Sequence, residues 1–128
     1  MRLERQCSTA AALVNWLSGA EARAAGVRRV WHPSLPDHPG HAVALRQMSG
    51  GLGAVLSFEL ESSARAQALP FRTKLVSGAT SLGGVESMIE YRAVYDKKVS
   101  DKLLRLSVGL EDLADLIADL RAALLAAV

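Results

Sequence analysis

Cysteine is almost missing from this chain: Cys7 stands alone among 128 residues. No internal disulfide can form, and a reducing compartment fits. Aromatic residues are scarce at 5%. The densest basic cluster, Arg23, Arg28 and Arg29, therefore has no array of base-stacking rings beside it. The formal charge is only +2 with acids mixed in throughout, so an isoelectric point near 9.0 does not amount to a nucleic-acid-binding surface. No apolar run approaches the roughly 18 residues that a membrane span needs. The opening Met1-Arg2-Leu3-Glu4-Arg5-Gln6 lacks the apolar segment of a signal peptide. A cytoplasmic protein with no nucleic-acid and no membrane partner is expected.

Other chemistries fall for want of partners. His38 and His41 are spaced like ligands, and His32 is nearby, but a metal centre needs three or four converging groups and no second cluster accompanies them. No metal site is expected. Gly50, Gly51 and Gly53 are not followed by the Gly-Lys-Ser/Thr of a P-loop. Cys7 reads as a small packed or surface residue rather than a catalytic thiol.

Half of the residues are hydrophobic and 22% are charged, which at this length makes one core and one domain, residues 1–128. Ser8 or Thr9 can cap a helix whose stripe is Ala10, Leu13, Val14 and Leu17, with Gly19 and Gly26 as stop signals. Trp16 lies beside that stripe. Val27 to Trp31 is a short strand, ended by Pro33 and Pro36. A helix is expected from His41 to about Met48.

The clearest strand then follows, with Leu56, Phe58 and Leu60 facing one way and Val55, Ser57 and Glu59 the other. Ser62 or Ser63 caps a short helix from Ala64 to Leu69, which Pro70 ends. Leu75 to Ala79 reads as a strand, Val85 to Glu90 has helical composition, and Val94 to Lys102 is a polar loop. Another strand alternates Leu104, Leu106 and Val108 against Leu103, Arg105 and Ser107. The last helix carries Leu113, Leu116, Ile117, Leu120 and Leu124 on one stripe. Strands alternating with helices in so short a chain imply an α/β (α+β two-layer) fold, a small mixed sheet with helices on one face.

Two stretches are built to carry function. In Thr80-Ser81-Leu82-Gly83-Gly84-Val85-Glu86-Ser87, a small polar residue and two glycines follow a strand-like run, a junction that can hold a ligand. In Leu103 to Glu111, Arg105 points away from the apolar side. If the two strands are neighbours, Ser81 and Arg105 share a face. A guanidinium fork suits a carboxylate bidentately. From the residues alone, Arg105 can equally pair with Glu86, Glu111 or a backbone carbonyl, and Ser81 can be a turn or cap residue. No histidine stands near Ser81 to activate it.

These blocks resemble the closing third of the Cys/Met-metabolism family of pyridoxal-phosphate (PLP) enzymes, which includes cystathionine gamma-synthase, the cystathionine lyases and methionine gamma-lyase. The family pattern reads close to SLGGVES and then RLSVGLED. The likeness extends to Val30 to Pro39, Arg46-Gln47-Met48-Ser49-Gly50-Gly51, the strand Val55 to Leu60 and the closing Asp112 to Leu120, and so covers nearly the whole chain. After Ile89, many members continue with a His-Pro-Ala, where this chain reads Glu90-Tyr91-Arg92-Ala93.

The resemblance implies the small C-terminal, substrate-side domain of a fold-type I PLP enzyme acting on sulfur amino acids by lyase or transsulfuration chemistry. Arg105 would bind the substrate carboxylate, and Ser81 with Leu82 would line the pocket. No residue of this chain would be catalytic by itself. The Schiff-base lysine, phosphate cradle and pyridine partner belong to a large PLP-binding domain that this sequence does not include. Lys74, Lys97, Lys98 and Lys102 fall in no such motif, so PLP is expected only in the complete enzyme, with none bound by this chain alone. The expected partners are that large domain, on the same or a separate chain, and an amino-acid substrate. The alternative is a free-standing non-enzymatic interaction module or relic, with self-association through an uncovered apolar face. An amino-acid sensor using Arg105 alone is a third reading.

Overall fold

The computed structural model describes residues 1–126. Its helices are α1 (Arg2–Leu17), α2 (Ala20–Ala24), α3 (His41–Gln47), α4 (Ser63–Ala68) and α5 (Leu113–Ala126). Its strands are β1 (Val27–Trp31), β2 (Val55–Leu60), β3 (Ser77–Gly78), β4 (Met88–Tyr91) and β5 (Leu103–Ser107). Among the described residues no helix is long and apolar enough to cross a membrane.

The strands form one mixed sheet in the order β1-β2-β5-β4-β3, antiparallel except where β3 runs parallel to β4. Period-2 alternation sets its two faces. Register places Leu56 beside Leu106 and Leu106 beside Ile89, so one apolar row crosses the three central strands. Phe58 and Leu104 extend that face, and both are completely buried. Against it pack Leu13, Val14 and Leu17 of α1 and Leu116, Leu120 and Leu124 of α5 in one continuous core. Each leucine buried in this way contributes about 2 kcal/mol through removal of apolar surface from water. The expected two layers, with helices on one face, are what the chain forms.

Both sheet edges are guarded in ways that discourage further pairing. On β1, Arg28 and Arg29 are exposed, and the register slips between Val27 and Arg29. At the other edge, β3 is only two residues long.

Three expectations need correction. Helix α1 begins at Arg2, not at Ser8 or Thr9. Nothing from Leu3 to Cys7 breaks a helix, and buried Gln6, Cys7 and Thr9 continue the same stripe backwards. The strand expected over Leu75 to Ala79 pairs only at Ser77–Gly78. The Asp119 carboxylate of α5 takes the amides of Lys74, Leu75 and Val76 at 2.8, 2.9 and 2.9 Å, so those donors are not free for a ladder.

The third correction concerns Val85 to Glu90, which is not helical. The chain bends at Val85 and Glu86 and becomes β4 from Met88, with Ile89 on the core face and the Val85 carbonyl accepting from the Leu110 amide at 2.9 Å. The gain from inserting Ile89 beside Leu106 outweighs a weak local helix preference.

The cap expected at Ser62 or Ser63 falls at Ser62, which accepts from the Arg65 amide at the start of α4. Asp112 sits just outside α5 and accepts from the Ala114 and Asp115 amides at 2.8 and 3.4 Å, an acidic group where the helix dipole favours one.

Candidate functional site

The sheet face opposite the core carries the polar row Ser57, Arg105 and Glu90, register neighbours on β2, β5 and β4. Arg105 forms an ion pair with Glu90, whose side chain is only 5% exposed against 19% for Arg105. The partner is therefore neither Glu86 nor Glu111. Glu90 also accepts from Arg92 at 2.9 Å and from the Thr80 hydroxyl at 2.8 Å. A carboxylate so placed avoids the penalty of an unpaired buried charge.

Ser81 does not reach Arg105 through neighbouring strands, since β4 lies between β3 and β5. The turn brings it to Ser107 instead. The Ser107 hydroxyl accepts from the Gly83 amide at 2.9 Å and donates to the Ser81 hydroxyl at 3.3 Å. Ser107 follows Arg105 by two residues and so shares its face. The Gly84 amide donates to Ser81 Oγ at 3.2 Å. Gly83 has φ +105°, a conformation that favours glycine. Leu82 stands at the tip of this turn, 75% exposed.

The turn is held from behind. Gln6 of α1 is buried and donates its amide to the carbonyls of Gly84 at 2.8 Å and Val108 at 3.0 Å. Glu111 accepts from both the Ser87 amide and the Ser87 hydroxyl at 2.7 Å. Ser87 Oγ in turn accepts from the Gly109 amide at 2.8 Å. Partial burial raises the Glu111 pKa, but the hydroxyl and amide of Ser87 outweigh it and hold the carboxyl below its ordinary value. The glycine turn and the end of β5 thereby behave as one unit.

Glu90, Ser107, Thr80 and Gln6 were not singled out by sequence. Glu90 and Arg105 face each other only once the β4–β5 register is known. Ser107 had a usable signal, since it alternates with Arg105.

A separate cleft of about 280 Å³ lies beside the β3 edge, lined by Pro70, Phe71, Ile89, Glu90, Tyr91 and Tyr95 among others. Arg105, Ser81 and Leu82 are not part of its wall. Each histidine ties its own loop. His32 is buried, with Nδ1 accepting from the Ser34 amide at 3.2 Å and Nε2 contacting the Gly53 carbonyl at 3.1 Å. His38 Nδ1 accepts from the Gly40 amide, and His41 contacts the Pro33 carbonyl. No group of three or more His, Cys, Asp or Glu among the described residues is placed to hold a metal.

A PLP site needs a lysine directed into a sheltered pocket. Lys74, Lys97, Lys98 and Lys102 are all exposed, and none belongs to the cluster around Arg105 and Ser81. These four lysines do not fit the covalent anchor of such a site.

The profile of the Cys/Met metabolism PLP-dependent enzyme family matches residues 1–125, and the chain belongs to that family. Cystathionine gamma-synthase of Mycobacterium tuberculosis is 41% identical, over 97% of this chain and 33% of its own length. L-methionine gamma-lyase of Fusobacterium nucleatum subsp. polymorphum is 39% identical, over 94% of this chain and 32% of its own. The structure of cystathionine gamma synthase from Xanthomonas oryzae pv. oryzae in complex with cystathionine superposes with a TM-score of 0.85 at 41% identity, over 96% of this chain and 34% of that one. The chain thus spans about a third of the length of the relatives it matches.

Proposed function

We propose that residues 1–128 form the C-terminal, substrate-side domain of a PLP-dependent sulfur-amino-acid lyase or transsulfuration enzyme. Arg105 binds the substrate α-carboxylate, and Ser81 and Leu82 line the same pocket. The observation that carries this reading is the placement of Arg105. Its guanidinium is partly exposed on the polar sheet face, anchored by Glu90 at one terminal nitrogen, with further donors in its planar fork left for a ligand. The Ser107 to Ser81 hydroxyl contact supports a pocket wall beside it.

PLP, when bound by the complete enzyme, supplies the electron sink for bond cleavage next to the amino group. This chain binds and orients, which is a large term in catalysis but needs that sink to be realised. The partner is a lysine-bearing large domain on the same or another chain. The free and buried Cys7 fits the reducing cytoplasm as the place of this activity.

The test is gentle recovery of the tagged chain from its own cells, with identification of what accompanies it and the visible absorbance of bound cofactor. A yellow assembly containing a lysine-bearing large domain, in which Arg105→Ala abolishes turnover, is expected. A colourless chain recovered alone contradicts the enzyme reading. It would favour an interaction module instead, for which exposed Phe71, Val94 and Tyr95 would be the contact surface.

A further inference from the structure

Arg92 has no part in the site described so far, yet it shares the key carboxylate. It donates to Glu90 Oε1 at 2.9 Å, and the same oxygen pairs with Arg105. The other oxygen, Oε2, accepts from Thr80. Side-chain exposure is 5% for Glu90, 23% for Arg92 and 19% for Arg105. Two guanidiniums and one carboxylate leave a single net positive charge at a half-buried position.

A carboxylate-binding arginine beside a buried glutamate is in conflict with itself. Glu90 is a fixed, desolvated anion that competes with any incoming carboxylate for the donors of Arg105. Were Arg105 its sole partner, loosening that pair would strand an unpaired buried charge, which proteins tolerate badly. Arg92 and Thr80 remove the conflict. With Arg105 partly withdrawn, Glu90 keeps a cation on Oε1 and a hydroxyl on Oε2. The surplus positive charge is then available to one carboxylate of a ligand.

We propose that Arg92 is a positioning residue: it neutralises Glu90 so that the Arg105 fork is free to take the substrate α-carboxylate. The inference rests on the assignment of Arg105 given above and extends it to the counter-ion that sets how strongly Arg105 binds. Arg92 acts through Glu90 and does not touch the ligand.

The experiment is a titration with L-cystathionine of the PLP-loaded assembly containing this chain. It is followed by NMR of the arginine side-chain N–H groups in the wild type, R105A, R92A, E90Q and the double variant R92A/E90Q, with thermal melting of each to check the fold. R92A is expected to weaken binding about tenfold, the scale of one charge-assisted hydrogen bond redirected. In the unliganded R92A chain, the Arg105 N–H groups should exchange more slowly, because Glu90 then holds Arg105 alone. E90Q should bind no worse than the wild type. R92A/E90Q should return to within about twofold of the wild type, since an amide neither competes for Arg105 nor needs Arg92.

If the double variant stays as weak as R92A, Arg92 grips the ligand itself and the positioning role is wrong. If R92A binds like the wild type while R105A does not bind, the role of Arg92 is overturned and that of Arg105 stands. If R105A binds like the wild type, or the wild type binds nothing, the assignment of Arg105 falls and this inference with it. Should R92A fail to fold, Arg92→Gln takes its place with the same expectations.

Discussion

The side-chain amide nitrogen of Gln6 lies 2.8 Å from the carbonyl oxygen of Gly84. It joins the first helix to the glycine turn across most of the sequence, and the same nitrogen reaches the Val108 carbonyl at 3.0 Å. Both acceptors lose their partner if the amide is removed. Gln6→Ala should therefore destabilise the fold by about 1–3 kcal/mol, the cost of leaving buried polar groups unsatisfied. Denaturant unfolding measures this. Hydrogen exchange at Gly83 and Gly84 should accelerate more than exchange in β2, and uniform acceleration would mean that Gln6 does not hold the turn in particular.

Gly109 has no room for a side chain. A Cβ there would lie 2.3 Å from the Val85 carbonyl oxygen and 2.6 Å from the Ser87 amide nitrogen, both backbone atoms that cannot swing aside. Gly109→Ala should force β4 away from the end of β5 at a cost of about 1–3 kcal/mol or more. It should also release Ser87 from Glu111. A melting temperature equal to the wild type's would contradict this packing.

His32 makes stability depend on pH. Burial depresses its pKa, the Gly53 carbonyl partly offsets that, and the charge of nearby His38 adds to the depression. The folded chain thus holds fewer protons at this site than the unfolded chain, whose histidine titrates near about 6.5. The stabilisation is complete above that value and is lost as the pH falls from it through the lower folded-state pKa. Melting temperatures followed downward from about pH 8 should show this fall, and His32→Gln should flatten it. An unchanged slope in the variant would place the proton uptake elsewhere.

Asp119 holds the Lys74, Leu75 and Val76 amides with one carboxylate. Asp119→Asn keeps one acceptor oxygen and loses the charge, so a cost of about 1–2 kcal/mol is expected, smaller than for Asp119→Ala. Equal stability of the two variants would show that the charge and the second oxygen contribute little.

Much of this architecture was legible from periodicity. The alternation of Leu56, Phe58 and Leu60 fixed the core face of β2, and the same period placed Arg105 opposite to Leu104 and Leu106. Arg105, Ser81 and Leu82 could be singled out because their stretches carry a family pattern. The partner of Arg105 could not, because Glu90 meets it through strand register, which no local signal encodes. The non-helical path of Val85 to Glu90 was hidden for a related reason. Its stability comes from Ile89 beside Leu106 and from Glu111 gripping Ser87, both contacts distant in sequence. The shrinking of the strand over Leu75 to Ala79 likewise needed Asp119, a residue on the last helix.

The measurement that bears most directly on the central claim is the affinity for L-cystathionine of the PLP-loaded assembly containing this chain, compared among wild type, Arg105→Lys and Arg105→Ala by calorimetry. If Arg105 binds the α-carboxylate, Arg105→Ala should lose about 100-fold in affinity, with Arg105→Lys in between, because lysine keeps the charge without the fork. Wild-type affinity in Arg105→Ala, with an unchanged melting temperature, would contradict the assignment and leave the Glu90 pair as a purely structural feature of the sheet.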